Sequence, residues 1–246
     1  EQMNLQIDAG NSFIKWRVMD DDYIQGRGVQ ATQEVIEHGL DLGDVADIIQ
    51  ARMSSVANKA LNTKLHKQFL KAFDVQLQLA RVASSAAGVT CGYQSPETLG
   101  VDRWLAVVAA YKQYSGAVLV VDAGSAITMD LVGPQGEHLG GYILPGLRMM
   151  RQALWQGTQA VQVEPGDPRD MLVPGNSTQI AVNRGCLLTA IAAIEKLAGQ
   201  YPATLIMTGG DSKLLMEALS LTAEHCPDLV LDGLAINGVE YSGAVD

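Results

Sequence analysis

The feature that most constrains this chain is a short device that occurs twice. Asn4 to Met19 reads NLQIDAGNSFIKWRVM, and Val118 to Leu131 reads VLVVDAGSAITMDL. Each begins as an apolar strand, turns through Asp-Ala-Gly and small polar residues, and leaves as a second apolar segment. DAGNS at Asp8–Ser12 and DAGSA at Asp122–Ala126 are a matched pair. A strand-Asp-x-Gly hairpin standing alone is most often only a turn. Two of them, separated by far more than a solenoid period, imply two related halves that face each other rather than an array. Gly124 lets the backbone approach closely and adopt positive φ, and successive loop N–H groups with the Ser125 hydroxyl can point at an anion. Two acidic hairpin loops closing on one ligand would hold a nucleotide between lobes.

At 246 residues the chain can bury one sizeable core or two small ones. Its 17 basic against 27 acidic residues give a net charge of −10. That argues against a broad nucleic-acid or anionic-membrane surface, so an anionic ligand must be held locally by loops and ions. Cys91, Cys186 and Cys226 are widely spaced and form no C-x-x-C pair. Neither a disulfide framework nor a thiolate zinc site is indicated, and a reducing, cytoplasmic compartment is expected. The histidines, His38, His66, His138 and His225, are scattered and read as structural or surface residues. No apolar run approaches the ~18 residues of a membrane span, and the N-terminus lacks a basic-then-apolar signal pattern.

Taken in order, Ser12 to Val18 alternates, with Phe13, Lys15 and Arg17 on one face and Ile14, Trp16 and Val18 on the other, as a strand does. Lys15 can reach a phosphate or simply be solvated. Asp20, Asp21 and Asp22 read as an exposed turn. Gln33–Leu40 reads as a short helix and Asp47–Val56 as a buried strand. Asn58–Phe73 reads as an amphipathic helix with Leu61, Leu65, Phe69 and Phe73 on one face and Asn58 near its start. Val75–Val82 is a further strand, and the order is that of an α/β fold. Ala83–Leu99 is irregular.

Gly100-Val101-Asp102-Arg103 stands directly ahead of a helix through Tyr114, with Leu105, Val108 and Tyr111 on one face. An acidic residue at a helix start commonly caps free N–H groups. Arg103 does not fit that role, because a cation in the first turn opposes the helix dipole; it suits a site that receives an anion. After the second hairpin, Gly140–Gly146 reads as a glycine- and proline-punctuated loop before a helix over Leu147–Trp155. Gln162–Asn176, with Pro165, Pro168 and Pro174, reads as a mobile surface loop. Thr178 opens a long helix to about Leu197 as its N-cap, a role to be set against ligand contact. Leu205–Met207 is a strand that runs into Thr208-Gly209-Gly210-Asp211, with a helix from Ser212; such a junction can admit a nucleoside.

In this order the stretches resemble the type III pantothenate kinases, the Baf-like proteins of the acetate and sugar kinase/Hsc70/actin superfamily, over essentially the whole chain. The resemblance implies two actin-like (ribonuclease H-like) α/β lobes with the nucleotide cleft between them; we place them over 1–115 and 116–246, with Leu229–Val245 able to pack back on the first lobe. It implies that Asp8, Ala9, Gly10, Asn11, Ser12, Phe13, Ile14 and Lys15 form the first phosphate motif. Gly100, Val101, Asp102 and Arg103 match the family's G-x-D-R, with Asp102 as proton acceptor and its neighbours binding pantothenate. Tyr93 and Thr178 stand at substrate-contacting positions, Asp122 at a monovalent-cation ligand, and Ser125 at a nucleotide-contacting hydroxyl. The cofactors implied are ATP with Mg²⁺ and K⁺ or NH₄⁺, and the implied assembly is a homodimer.

Ser12 and Ser125 stand where Thr is usual, keeping the hydroxyl and losing a methyl, which is expected to change nucleotide affinity at most. A sugar kinase of the same superfamily would share the fold; Tyr93, Gly100–Arg103 and Thr178 favour pantothenate. A nucleotide-responsive regulator without catalysis would be expected to have a damaged Asp102 position or hairpin loop, and all are intact.

Overall fold

In a computed structural model, residues 3–45, 47–56, 59–155 and 172–243 are described. The chain divides into two compact units, Glu1–Lys112 with Asp228–Asp246, and Gln113–Pro227.

The first unit opens with β1 (Met3–Ala9), β2 (Phe13–Asp20) and β3 (Tyr23–Ala31), and continues with α1 (Thr32–His38), β4 (Ile48–Ser55), α2 (Lys59–Phe73) and β5 (Leu77–Arg81). A small hairpin, β6 (Ser85–Ala86) and β7 (Val89–Thr90), precedes α3 (Val101–Tyr114). β1, β2 and β3 form an antiparallel meander; β4 joins β1 in parallel, and β5 joins β4 in parallel. The apolar residues that alternate on β1 and β2 bury Leu5, Ile7, Ile14, Trp16 and Val18 against Leu61, Leu65 and Phe69 of α2. That is the packing the four-residue repeat of α2 predicts.

The second unit comprises β8 (Val118–Ala123), β9 (Ala126–Val132), β10 (His138–Pro145), α4 (Leu147–Trp155), α5 (Thr178–Gln200), β11 (Thr204–Thr208), α6 (Ser212–Ala218) and β12 (Glu224–His225). Its sheet repeats the plan of the first: an antiparallel meander β8-β9-β10, with β11 parallel to β8 and β12 parallel to β11. Leu119, Val121, Ile127 and Met129 pack with Leu187, Ile191 and Ile194 of α5.

Four differences from the sequence expectations have physical causes. β3 is not expected from sequence, because Gly26 and Gly28 interrupt its apolar pattern. Gly28 makes room for Trp16, since a Cβ there would lie 2.7 Å from the indole Nε1, and a Cβ on Gly26 would press Val45 Cγ2 at 3.2 Å. Gly140–Pro145 is not loop but the greater part of β10, an edge strand paired with β9 from Gly140↔Leu131 to Pro145↔Ala126. An edge tolerates the missing proline N–H, and Gly140, at φ +100°, sits at a register shift. α3 is buried from Arg103 through Ala110, all round rather than on one face. Finally, the chain from Asp228 belongs to the first unit, which departs from the 116–246 division but agrees with the expectation that Leu229–Val245 can pack back on the first lobe. α7 (Leu229–Leu234) packs on β1 and β4, and β13 (Glu240–Gly243) pairs antiparallel with β5.

Arg17 ties this returning segment down. It is buried, its Nε donates to Gln6 Oε1 at 2.6 Å, and its Nη1 lies 2.7 Å from Asp232 Oδ1. Asn58 and positions 162–171 of the proline-bearing segment lie outside the described residues.

Gly28→Val would press a branched side chain into the Trp16 indole, and overpacking of this kind costs about 1–3 kcal/mol. Chemical denaturation should show a lower midpoint for the variant with an unchanged slope.

Candidate active site

Both acidic hairpins place their carboxylate on the last but one residue of the unit's central strand. Asp8 pairs with Lys15 across β2 and with Ser54 on β4; Asp122 pairs with Thr128 across β9 and with Thr208 on β11. In each unit, then, the carboxylate stands where an antiparallel neighbour on one side meets a parallel neighbour on the other. Ligands bind at the carboxyl ends of strands in open α/β sheets where the order reverses.

The first turn is closed by Gly10 N donating to Phe13 O at 3.1 Å, and is pinned from α1 by Thr32 Oγ1 donating to Gly10 O at 2.8 Å. Asn11 is exposed, while Gly10, Ser12 and Lys15 are half-buried. Within the expected phosphate motif, Ala9 and Ile14 point into the core at 0% exposure, so only their backbone can serve a ligand. Phe13 is 56% exposed.

The second turn is one residue shorter and is closed by Gly124 N donating to Ala126 O at 2.9 Å. Two glycines wedge under it. Gly146 N donates to Ser125 O at 3.1 Å, and a Cβ there would strike the Gly124 and Ser125 carbonyls. Gly209, at φ +90°, lies so close that a Cβ would collide with Asp122 Oδ1 and sit 2.6 Å from the Ala123 carbonyl. Asp211 N donates to Ala123 O at 2.9 Å. The Thr208-Gly209-Gly210-Asp211 junction is therefore packed onto the Asp122 loop, and Ser125 is left exposed at its tip. Gly146 and Gly209 as supports of this loop were missed from sequence, because a glycine's close approach to a distant backbone leaves no local signal.

The G-x-D-R stretch forms the start of α3. Asp102 is the second helical residue and its Oδ1 accepts from Arg103 N at 2.8 Å. Gly100 is required beside it, since a Cβ there would lie 2.6 Å from that oxygen. Arg103, 7% exposed, turns its guanidinium to Tyr93: Nη1 donates to the phenol oxygen at 3.1 Å, with Cζ 5.8 Å from the ring centroid. The structure thus links Tyr93 to Arg103, ten positions on in the chain, and so to Gly100 and Asp102 at the start of α3.

Thr178 is not the cap of its helix. Ser177 occupies that position, its Oγ accepting from Ile180 N at 3.3 Å, and Thr178 is the first helical residue with an exposed side chain. The adjacent serine competes better because its extended backbone, at φ −142° and ψ 158°, turns the hydroxyl onto the free amides.

Among the described residues no group of three His, Cys, Asp or Glu is arranged to hold a metal by itself, and no helix is long and apolar enough to cross a membrane. Single carboxylates on turns fit a metal that arrives with a polyphosphate and keeps its own waters.

Two units, each an antiparallel meander continued by parallel strands around an acidic hairpin, make an α/β fold of the actin-like kind. The fold is shared with a Baf-family protein of Campylobacter jejuni named as a transcriptional activator, at a TM-score of 0.60 and 24% identity, over 94% of this chain and 95% of that one. It is shared also with a 2-dehydro-3-deoxygalactonokinase-like protein of Sinorhizobium meliloti, at a TM-score of 0.56 and 12% identity, over 94% and 97% of the two chains.

The chain belongs to the type III pantothenate kinase family, whose model matches residues 4–200. Relatives named type III pantothenate kinase include one of Chromohalobacter salexigens, 39% identical over 94% of this chain and 86% of that one. Another, of Azotobacter vinelandii, is 38% identical over 95% and 98%.

Burial raises the Asp211 carboxyl above its ordinary range, with Arg151 opposing the shift. A raised folded-state pKa contributes stability that is full below the unfolded value and is lost as pH rises through the folded one. Asp211→Asn, neutral throughout, should therefore gain on the parent protein as pH is taken from about 3 to about 7. Unfolding free energies measured across that range would show the gap widening with pH.

Proposed function

We infer that this protein transfers the γ-phosphoryl group of ATP to pantothenate, giving 4′-phosphopantothenate, the first step of coenzyme A biosynthesis. The observation that carries the reading is the Tyr93–Gly100–Asp102–Arg103 cluster in a chain whose family match spans residues 4–200. Phosphoryl transfer asks a protein mainly for positioning and for charge neutralisation, with little covalent chemistry of its own.

Asp102 is the proton acceptor. Placed at the helix start beside Gly100, it orients the primary hydroxyl of pantothenate and takes its proton as the new P–O bond forms. Arg103 holds the pantothenate carboxylate. Its guanidinium is largely buried, at 7% exposure, and the hydrogen bond to Tyr93 at 3.1 Å fixes its direction. Gly100 and Val101 give the substrate backbone to lie against, and Thr178 supplies a hydroxyl to it.

In the first unit the Asp8–Lys15 turn receives the nucleotide phosphates: Gly10, Asn11 and Ser12 offer backbone and side-chain donors, and Lys15 offers charge. Asp8 supports Mg²⁺ through its waters. Mg²⁺ and a monovalent cation, K⁺ or NH₄⁺, supply neutralisation of the polyphosphate charge when bound. Asp122 is the ligand we assign to the monovalent cation, Ser125 contacts the nucleotide, and the Thr208–Asp211 junction borders the nucleoside. The working form is a cytoplasmic homodimer that binds neither nucleic acid nor membrane.

Asp102→Asn should keep the unfolding midpoint and lose roughly 10²- to 10⁴-fold in kcat, the span of a general base. Wild-type turnover in that variant would reduce Asp102 to a first-turn hydrogen-bond acceptor. ADP release from Mg-ATP and pantothenate should also require K⁺ or NH₄⁺ and fall when Na⁺ replaces them. Turnover on a sugar in place of pantothenate would move the assignment to the sugar kinases.

A further inference from the structure

One buried polar group near the first phosphate turn is used by neither the fold nor the roles above. Ser54, the last but one residue of β4, is 0% exposed, and its hydroxyl has no hydrogen-bond partner. A buried hydroxyl left without a partner has lost its hydration with nothing in exchange, so native structures rarely keep one without a use. Its neighbour Ser55 is accounted for, donating to Asn62 Oδ1 at 2.7 Å. Ser54 is not.

Its place in the sheet supplies the use. In the parallel register of β1 and β4, Ser54 is the Cα partner of Asp8, and Asp8 is in turn the partner of Lys15 on β2. Partners in register present their side chains to the same face, so Lys15, Asp8 and Ser54 form a row across three strands at the carboxyl end of the sheet. The second unit repeats the arrangement: Thr208, 2% exposed, is the partner of Asp122. In both sheets, then, the hairpin carboxylate has a buried hydroxyl residue beside it on the next parallel strand. Packing alone would accept alanine at Ser54, and would favour it.

We propose that Ser54 is a positioning residue for phosphoryl transfer: its hydroxyl donates to the Asp8 carboxylate in the nucleotide-bound protein and fixes which oxygen Asp8 turns to the metal's waters. A serine side chain reaches a strand neighbour by rotation about a single bond among its staggered positions. The inference rests on the role given to Asp8 above.

The test is Ser54→Ala, with Ser54→Thr as the variant that restores a hydroxyl. Four readouts are needed: thermal unfolding without nucleotide, calorimetric affinity for Mg-ADP, kcat/KM for Mg-ATP with saturating pantothenate, and the Mg²⁺ concentration that gives half-maximal rate. Ser54→Ala should unfold at the parent midpoint or above it. It should lose about 10- to 100-fold in kcat/KM, the worth of a hydrogen bond to a charged group, need more Mg²⁺ for half-maximal rate, and bind Mg-ADP more weakly. Ser54→Thr should recover at least part of each loss. Parent-like kinetics and Mg-ADP affinity in Ser54→Ala would overturn the proposal. So would a loss of activity that merely follows a lowered unfolding midpoint, which would make Ser54 a packing residue. If the parent protein fails to phosphorylate pantothenate, the functional reading falls, while the Mg-ADP affinities of parent and variant still decide the role of Ser54.

Discussion

Everything at the proposed phosphate turns depends on how the central strand of each sheet is hydrogen-bonded. β1 and β8 each have an antiparallel neighbour on one side and a parallel one on the other. The antiparallel side permits a turn of two or three residues directly after the carboxylate, which a parallel crossover could not provide. The parallel side brings a second strand end to the same height, with its own hydroxyl and, in the second unit, its own glycines. A carboxylate, a row of turn amides and a second strand end thus converge without any long loop. Such a site gains its precision from the ladder rather than from side-chain packing.

The glycines carry a different burden from the one their local sequence suggests. Gly209 and Gly146 do not chiefly loosen the chain; they let one backbone lie on another, beneath Asp122 and Ser125. In β3, Gly28 leaves space for an indole. The common requirement is the absence of a Cβ at a particular contact. Only at Gly209 and Gly140, among those discussed, is a positive φ involved as well.

This explains what the sequence discloses and what it hides. The hairpins are legible because an apolar strand, Asp-Ala-Gly and a second strand are contiguous, and because the motif is written twice. α2 is legible from its repeat of Leu61, Leu65 and Phe69, and α5 from Leu187, Ile191 and Ile194. The start of α3 is legible as a helix start, and Arg103 is conspicuous there for its misplaced charge. β3 and β10 are not, since in both the strand pattern is diluted by glycines whose reasons lie elsewhere in the fold or at a sheet edge. Thr178 and Ser177 cannot be ranked as caps without the backbone angles. Ser54 is invisible because its significance is a register, Asp8 against Ser54, and register belongs to the pairing of strands far apart in the chain.

The first unit also has an unusual history written into it. Its sheet gains its outer strand β13, and its Arg17 gains the carboxylate of Asp232, only from residues that follow the whole second unit in the chain. The second unit, drawn from one uninterrupted stretch, has all its parts once Pro227 has been made. During synthesis the unit begun first is therefore completed after the second, and the Asp8 turn sits in a sheet whose β5 edge stays open until Glu240–Gly243 have been made. The order of assembly in this protein runs against the order of its residues.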